Sequence, residues 1–320
     1  MALAIRVHEQ PWTAERAALR DEALLGFAAR PKSISPKFFY DSRGSQLFEQ
    51  ICRQPEYYLT RTEETILRLA AGDIAKIAGH DVSLVEFGSG ASLKVRLLLE
   101  ALRPARYLGV DISREFLAAS THRLAADYRW LDVHALCADF SQPLELPAEA
   151  LGERPLAFFP GSSIGNFDPE QARTFLRNLH AALPPGSGLL IGVDLVKDRQ
   201  VLERAYNDKA GVTAQFNLNL LERIRHELDS DIDPDRFQHR AFYNEAESRI
   251  EMHLVSPHAQ QVRIEDRLFD FAAGETLHTE NSYKYTPAGF RQLAADGGFA
   301  AVAMWRDPWQ FFSVHFLRRE

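Results

Sequence analysis

The sequence predicts an α/β protein built on a mostly parallel, doubly wound sheet, together with a second domain of the α+β class. Three observations lead to this prediction. Residues 84–111 follow the order strand, glycine turn, helix, strand, acid. Strands and helices then alternate as far as Asp194, after which a mixed segment, 197–286, precedes a closing helix and two strands. Alternation of this kind favours a parallel sheet that binds ligands at the carboxyl ends of its strands.

The N-terminal arm contains two expected helices with an aromatic-rich segment between them. Thr13 is expected to cap a helix over 14–29, which Pro31 ends. Thr60 and Glu63 have the spacing of a capping box for the next helix. The segment between these helices is too rich in aromatic residues for a simple linker. Any single tyrosine in it is expected to pack with its hydroxyl at the surface, and together they are candidates for a binding site.

The stretch 84–111 is the centre of the predicted sheet. Its first strand, 84–87, is broken by Gly88 and Gly90, and Ser92 is placed to cap the following helix. The second strand ends in Asp111. The glycines let backbone lie against a ligand, and an acid about 20 residues later can bind a ribose diol.

This layout occurs in proteins that bind either of two classes of cofactor, and also in other α/β proteins that bind neither. A dinucleotide fingerprint requires a third glycine where this chain has Leu93, which argues against NAD and FAD. Glu86, just before the turn, suits a cofactor that carries a cation and no phosphate. S-adenosylmethionine, with its sulfonium, amino group and ribose, fits that description.

The rest of the chain completes the alternation and then departs from it. Further strands are expected at 133–137, 155–159, 189–193, 249–255, 261–269, 299–305 and 311–317, with helices at 113–126 and 287–297 and one begun by Asp168 and Pro169. The last strand is expected to be antiparallel. Asp111, Asp139 and Asn166 each follow a strand end, so we expect them at one edge of the sheet.

We expect two domains made of alternating segments. The donor-binding domain would comprise 61–196 and 287–320, and the substrate domain 1–60 and 197–286. The formal net charge of −7 makes a nucleic-acid partner unexpected. The chain has no apolar run long enough for a membrane span and only two cysteines, so we expect a cytoplasmic protein. We also expect a monomer, although the sequence itself does not give the oligomeric state.

The expected chemistry needs no metal. The 11 histidines show no metal-ligand spacing, and neither do the cysteines. Methyl transfer needs neither metal nor protein nucleophile, because the sulfonium methyl is already activated; the protein must align a neutral acceptor and exclude water. Groups suited to this task are Tyr40, Tyr57, Asn166, Tyr206, Glu280 and Ser282. From these residues alone we predict a small-molecule methyltransferase.

Several longer motifs narrow this prediction. They are Pro36-Lys-Phe-Phe-Tyr-Asp, Pro55-Glu-Tyr-Tyr-Leu-Thr-Arg-Thr-Glu, Glu86-Phe-Gly-Ser-Gly, Gly161-Ser-Ser-Ile-Gly-Asn, Asp194-Leu-Val-Lys-Asp, Arg204-Ala-Tyr, Gly211-Val-Thr-Ala, Arg249-Ile-Glu-Met and Glu280-Asn-Ser-Tyr-Lys. Through them nearly the whole chain resembles the histidine Nα-methyltransferases of ergothioneine biosynthesis. The resemblance implies a Rossmann-like, class I S-adenosylmethionine-dependent methyltransferase sheet. It also implies three methylations of L-histidine, giving hercynine.

The resemblance also implies roles for individual residues. The donor would be bound by Tyr57, Gly88, Ser89, Gly90, Lys94, Asp111, Asp139 and Phe140. Histidine would be bound by Tyr57, Gly161, Asn166, Tyr206, Thr213, Met252, Glu280 and Ser282. Asn166 and Tyr206 would hold its carboxylate, Glu280 and Ser282 its imidazole. Tyr40 and Asn166 would act on the amine as catalytic residues.

Other functions remain open from the sequence. The same fold could methylate another small amino-acid-like substrate, such as a thiolated histidine, although Glu280 and Met252 match the imidazole pocket of the family. A nucleic-acid methyltransferase is opposed by the acidic charge balance. A non-catalytic module that binds S-adenosylmethionine is opposed by the polar residues at the strand ends. The family often has Thr at Ser163 and Phe at Tyr285, but neither departure removes a polar group.

Overall fold

A computed structural model describes residues 5–9 and 15–320. The α-helices are α1 Glu15–Ala28, α2 Ser42–Cys52, α3 Tyr58–Ala78, α4 Val95–Leu102, α5 Arg114–Asp127, α6 Ala148–Leu151, α7 Pro169–Ala182, α8 Arg199–Tyr206, α9 Val212–Glu227 and α10 Pro287–Asp296. The strands are β1 Arg6–Glu9, β2 Lys32–Ser33, β3 Ser83–Phe87, β4 Arg106–Asp111, β5 Asp132–Cys137, β6 Pro155–Phe159, β7 Gly188–Asp194, β8 Gln238–Asn244, β9 Arg249–Val255, β10 Gln260–Ile264, β11 Arg267–Phe271, β12 Thr276–Tyr283, β13 Phe299–Arg306 and β14 Phe312–Arg319. Short 3-10 turns lie at Pro36–Phe39, Ser163–Asn166 and Pro234–Arg236.

The described residues form two compact units. Unit 1 contains 5–9, Leu59–Val196 and Tyr283–Glu320, and unit 2 contains 15–58 and Lys197–Ser282. The domain boundaries expected from the sequence place all of 1–60 in the second domain. Strand β1 instead pairs in parallel with β5, whose outer backbone groups it satisfies, and so belongs to unit 1.

Unit 1 is built on a sheet with strand order β1-β5-β4-β3-β6-β7-β14-β13. In this sheet β1, β5, β4, β3, β6 and β7 are parallel to one another, and β14 runs antiparallel to both of its neighbours, β7 and β13. The predicted α/β fold, with one antiparallel strand near the C-terminus, is therefore confirmed. Strands β3, β6 and β7 are buried at every position, as expected for parallel strands covered on both faces.

Two of the predicted helix caps differ from the structure. Helix α3 already begins at Tyr58, so the predicted box of Thr60 and Glu63 lies inside the helix, and Glu63 makes tertiary hydrogen bonds. Helix α4 begins at Val95, after Lys94, and Ser92 is instead next to the Tyr107 hydroxyl. Both caps were predicted from neighbouring residues alone, whereas in the folded protein each side chain contacts a residue farther away in the sequence.

The predicted start of α7 is confirmed. Asp168 accepts hydrogen bonds from the amides of Glu170 and Gln171, and the Gln171 side chain accepts from the Asp168 amide, which completes a capping box. Thr13, the expected cap of α1, lies outside the described residues. In the part of the chain that the structure describes, no helix has both the length and the apolar character of a membrane span.

Unit 2 combines helices with a four-stranded sheet of order β2-β12-β9-β8. Strands β8 and β9 pair antiparallel, and β12 pairs in parallel with the short β2. The predicted strand over 261–269 is two strands, because Glu265, with φ of +53°, turns the chain between β10 and β11. Strands β2, β8 and β12 were not expected from the sequence, because their polar positions obscure the alternating pattern.

Candidate functional site

The glycine turn after β3 is held against the end of β4. The amides of Gly88 and Ser89 both donate to the carbonyl of Val110, at 2.8 and 3.3 Å. Gly88 and Gly90 have φ of +67° and +48°, in the left-handed region that glycine adopts without strain. The turn therefore depends on glycine and leaves backbone open to close approach by a ligand.

Asp111 lies beside this turn at the end of β4. Its Oδ2 accepts from the Gly90 amide at 3.0 Å, and its Oδ1 accepts from the Ser113 amide at 2.9 Å. Burial raises the pKa of Asp111, although these backbone hydrogen bonds act in the opposite direction. The carboxylate is thus fixed in position, and each oxygen has further accepting capacity for a ligand hydroxyl.

Asp139 and Phe140 follow the end of β5. The Asp139 carboxylate accepts from the amide and hydroxyl of Ser141, at 3.0 and 2.6 Å. A Cβ placed on Gly88 would lie 3.8 Å from the ring of Phe140. The structure therefore brings Phe140 against the glycine turn, where an aromatic face can pack on a flat heterocycle.

Glu86 is a buried carboxyl directly beneath the turn. The Tyr107 hydroxyl donates to its Oε2 at 2.6 Å. Burial raises the pKa of Glu86 to about 8, against the opposing effects of the Tyr107 hydrogen bond and the charge of Lys94. A nearby cation would favour the ionised form, so this carboxyl fits the cationic end of S-adenosylmethionine.

The segment that carries Asn166 is tied down at several points. Both carboxylate oxygens of Glu63 accept from the Gly161 amide, at 2.9 and 3.1 Å. The Asp194 amide donates to the Ser162 hydroxyl at 2.9 Å, and the Asp194 carboxylate pairs with Lys284 at 2.9 Å with both side chains buried. These contacts fix the 3-10 turn at whose end Asn166 lies.

In unit 2 the predicted tyrosines belong to one aromatic row. Tyr40 packs edge-on against Phe48, Phe48 against Tyr57, and Tyr57 against Tyr206, with ring centroids 5.7 to 6.3 Å apart. The Tyr206 hydroxyl is 2.7 Å from the Ser282 hydroxyl. Four residues that were chosen separately from the sequence, Tyr40, Tyr57, Tyr206 and Ser282, are thus brought together.

Strand β12 buries both Glu280 and Ser282. Thr279 and Glu280 are consecutive buried residues, as are Ser282 and Tyr283, so side chains on both faces of the strand are covered. Glu280 and Ser282 are two residues apart and therefore share one face. The strand thus presents the two candidate imidazole-binding side chains together.

The last two substrate-binding candidates are also buried in unit 2. The carbonyl of Met252 accepts from the Thr279 hydroxyl at 3.0 Å, which ties β9 to β12. Thr213 is the second residue of α9, and its amide donates to Asp208 Oδ1 at 2.8 Å. Burial, with the nearby Tyr206 as a further cause, raises the pKa of Tyr57 well above the usual tyrosine value, so its hydroxyl stays protonated.

Glu251, His253 and His278 form a cluster that the sequence analysis did not predict. Their potential metal-binding atoms lie within 4.8 Å of one another. The two imidazoles stack at 4.5 Å with planes 12° apart, so their in-plane lone pairs do not converge on one point. Glu251 also accepts from Asn244 and Arg249. In this geometry the cluster is a hydrogen-bonded stack.

Several residues around the candidate site have no local signature in the sequence. Glu63 was assigned to a cap, and Tyr107, in the strand that ends at Asp111, was given no role. Phe48 and Phe216 pack against Tyr40 at 5.7 Å each. The density of aromatic residues in the arm was the only signal for Phe48, and none pointed to Phe216.

Comparisons with known proteins agree with this arrangement. A family profile described as "Histidine-specific methyltransferase, SAM-dependent" matches residues 19–319. The chain is 45% identical over 298 residues to a histidine N-alpha-methyltransferase of Mycolicibacterium smegmatis, covering 91% of this chain and 92% of that protein. A histidine N-alpha-methyltransferase of Mycobacterium tuberculosis is 44% identical, with 91% of each chain covered. The ergothioneine biosynthesis protein 1 of Neurospora crassa is 31% identical over 86% of this chain and 32% of that longer protein. The chain belongs to the family of histidine-specific, S-adenosylmethionine-dependent methyltransferases.

Proposed function

We propose that this protein transfers methyl groups from S-adenosylmethionine to the α-amine of L-histidine until the nitrogen carries three. The product would be hercynine, and the reaction the first step of ergothioneine biosynthesis. The observation that carries this proposal is the 45% identity to a histidine N-alpha-methyltransferase over 91% of the chain.

The donor-binding residues are proposed from the resemblance and from the chemistry of unit 1. Asp111 binds the ribose hydroxyls and Asp139 the adenine amine, while Phe140 packs on the adenine ring. Gly88, Ser89 and Gly90 supply backbone at close range, and Lys94 and Tyr57 complete the set. Two carboxylates, a glycine turn and an aromatic face suit the hydroxyls, amine and ring of an adenosine.

When bound, S-adenosylmethionine supplies a methyl group that is already activated by the sulfonium. The residues of the chain therefore have to orient the acceptor amine and exclude water, and neither a metal nor a protein nucleophile is part of the proposed mechanism. We propose that Tyr40 and Asn166 position the amine. Both are neutral groups, so neither one pairs electrostatically with the permanent cation that the third transfer creates.

The remaining substrate contacts anchor the two ends of histidine. Asn166 and Tyr206 are proposed to bind the carboxylate, and Glu280 and Ser282 the imidazole. Gly161, Thr213 and Met252 line the site, with Tyr57 beside them. A buried carboxylate such as Glu280 accepts from a ring N–H and is left unpaired by an aliphatic side chain, which gives strong discrimination.

A panel of acceptors tests the proposal. The purified protein is incubated with S-adenosylmethionine and equal concentrations of histidine, 2-thiohistidine, tryptophan and phenylalanine, and the products are identified by mass. We expect histidine to have the highest kcat/KM. A higher kcat/KM for thiohistidine would favour the second candidate function, methylation of another amino-acid-like substrate. Binding of the donor without transfer to any acceptor would indicate a non-catalytic module.

We further propose that the protein works as a cytoplasmic monomer on this small molecule, without a nucleic-acid or membrane partner. Cys52 and Cys137 are both free thiols, which suits a reducing compartment. Light scattering coupled to size-exclusion chromatography tests the oligomeric state, and a mass near 36.2 kDa is expected.

A further inference from the structure

Glu63 is a fully buried carboxylate for which the mechanism above has no role. It lies on α3, a helix that contributes none of the groups at the strand ends. Its Oε2 is 2.5 Å from the ammonium of Lys94, and its two oxygens are 2.9 and 3.1 Å from the Gly161 amide. A buried carboxylate loses its hydration, and here the Lys94 ammonium and the Gly161 amide compensate that loss.

The two partners of Glu63 belong to different loops at the carboxyl edge of the sheet. Lys94 follows the glycine turn and directly precedes α4. Gly161 begins the segment that leads through the 3-10 turn to Asn166. One side chain therefore connects the loop proposed for the donor with the loop proposed for the substrate.

Neighbouring glycines leave room for this connection. A Cβ on Gly192 of β7 would lie only 1.9 Å from Glu63 Oε1, so a side chain at this position would displace the carboxylate. Gly161 has φ of +78°, a conformation that glycine adopts without strain, and its amide donates to Glu63. The backbone around Glu63 is thus suited to a carboxylate at this point.

We propose that Glu63 is a positioning residue that fixes the Lys94 ammonium and the Gly161 amide relative to each other. It makes two separable contributions: its charge holds Lys94, and its acceptor oxygen holds Gly161. It is buried and acts through these two partners. The proposal rests on the assignment of Lys94 to the donor and of the Gly161–Asn166 segment to the substrate.

Two substitutions separate the contributions. Glu63→Gln keeps an oxygen that accepts from the Gly161 amide but loses the charge that holds Lys94. We expect this variant to bind S-adenosylhomocysteine about tenfold more weakly, the scale of one lost charge-assisted hydrogen bond, while the KM for histidine changes by less than about twofold. Glu63→Ala loses both contacts, so we expect weaker binding of both ligands and a lower kcat.

The experiment combines calorimetric titration with S-adenosylhomocysteine, steady-state kinetics with histidine at saturating donor, and thermal melting. Glu64→Gln, the next residue on the same helix, is the matched control and should behave like the parent. Calorimetry gives the donor result whether or not the parent methylates histidine, so failure of the proposed function is recognised separately.

The expected split of Glu63→Gln, with weakened donor binding and an almost unchanged histidine KM, supports the proposal. Parent-like donor binding by Glu63→Gln would overturn it. Equal losses for donor and histidine in Glu63→Gln, accompanied by a lower melting temperature, would also overturn it, because they would reveal a general structural role. If Glu63→Ala fails to fold, the Glu63→Gln result alone decides.

Discussion

Asp111 is the residue on which donor binding depends most directly in our proposal. Replacing it with alanine removes the acceptor for ribose hydroxyls and also frees the amides of Gly90 and Ser113. We expect Asp111→Ala to weaken S-adenosylhomocysteine binding by roughly 1–3 kcal/mol, the cost of unpaired buried polar groups. Calorimetry measures this, with Asp73→Ala on an exposed helix face as the control. Unchanged affinity would refute the role given to Asp111.

Glu280 should determine substrate choice without determining donor affinity. Glu280→Ala removes the carboxylate proposed to accept from the imidazole, so kcat/KM for histidine should fall by at least about a hundredfold, whereas donor binding should change little. Kinetics with histidine, phenylalanine and leucine measure the preference. A variant that still prefers histidine as strongly as the parent would show that the ring is recognised elsewhere.

Glu86 should make stability depend on pH. The folded protein holds its proton up to about pH 8, whereas the unfolded chain loses it near 4.5. Between these values the unfolded state binds fewer protons, so this group lowers the free energy of unfolding as pH rises, by on the order of 3 kcal/mol at pH 7. Denaturant unfolding of the parent and Glu86→Gln from pH 5 to 8 tests this. We expect the stability of Glu86→Gln relative to the parent to increase with pH, and parallel profiles would contradict the assignment.

At the residue scale, a site residue could be predicted when the residues that determine its position are close to it in the sequence. Asp111 and the glycine turn were predictable, because the strand order and spacing that place them lie within 28 consecutive residues. Glu63 was misassigned, because its partners are 31 and 98 residues away and a capping box is judged from neighbours alone.

At the scale of elements, the 3-10 turn that carries Asn166 should be sensitive to added volume. A Cβ on Gly165 would lie 2.8 Å from the backbone carbonyl oxygen of Tyr283, so Gly165→Ala forces one segment to move. We expect a loss of roughly 1–3 kcal/mol in the free energy of unfolding together with a lower kcat.

Gly72→Ala is the contrasting control for this substitution. Gly72 lies exposed within α3, and a Cβ there would meet nothing within 4 Å. It should therefore stabilise the protein by about 0.5–1 kcal/mol through helix propensity alone. Denaturant unfolding of both variants measures whether each substitution lowers or raises the free energy of unfolding. Equal stability of Gly165→Ala and the parent would show that the turn is not tightly packed.

Strand β12 shows what the sequence could not provide for an element. Glu280 and Ser282 were predicted as binding candidates, but the strand that carries them was not. Side chains on both faces of this strand are buried, among them Thr279, Glu280, Ser282 and Tyr283. The strand therefore lacks the alternation of apolar and polar residues by which a half-buried strand is recognised in a sequence.

At the scale of the whole molecule, the alternating part of the chain was predictable and the rest much less so. The strand–helix repeats of unit 1 follow from hydrophobic runs that are buried on both faces. Unit 2 is assembled from the N-terminal arm and the insert, and most of its strands carry polar residues. The assignment of β1 to unit 1 depends on pairing with β5, more than 120 residues away, which no local pattern reveals.

The central claim is that this chain methylates the α-nitrogen of L-histidine to completion, and one measurement tests it most directly. The protein is incubated with histidine and an excess of S-adenosylmethionine whose methyl group is isotopically labelled, and the product is analysed by mass spectrometry and NMR. We predict a single end product with three labelled methyl groups, all on the α-nitrogen and none on the imidazole. A product labelled on the ring, or one that stops at a single methyl group however long the reaction runs, would contradict the proposed function.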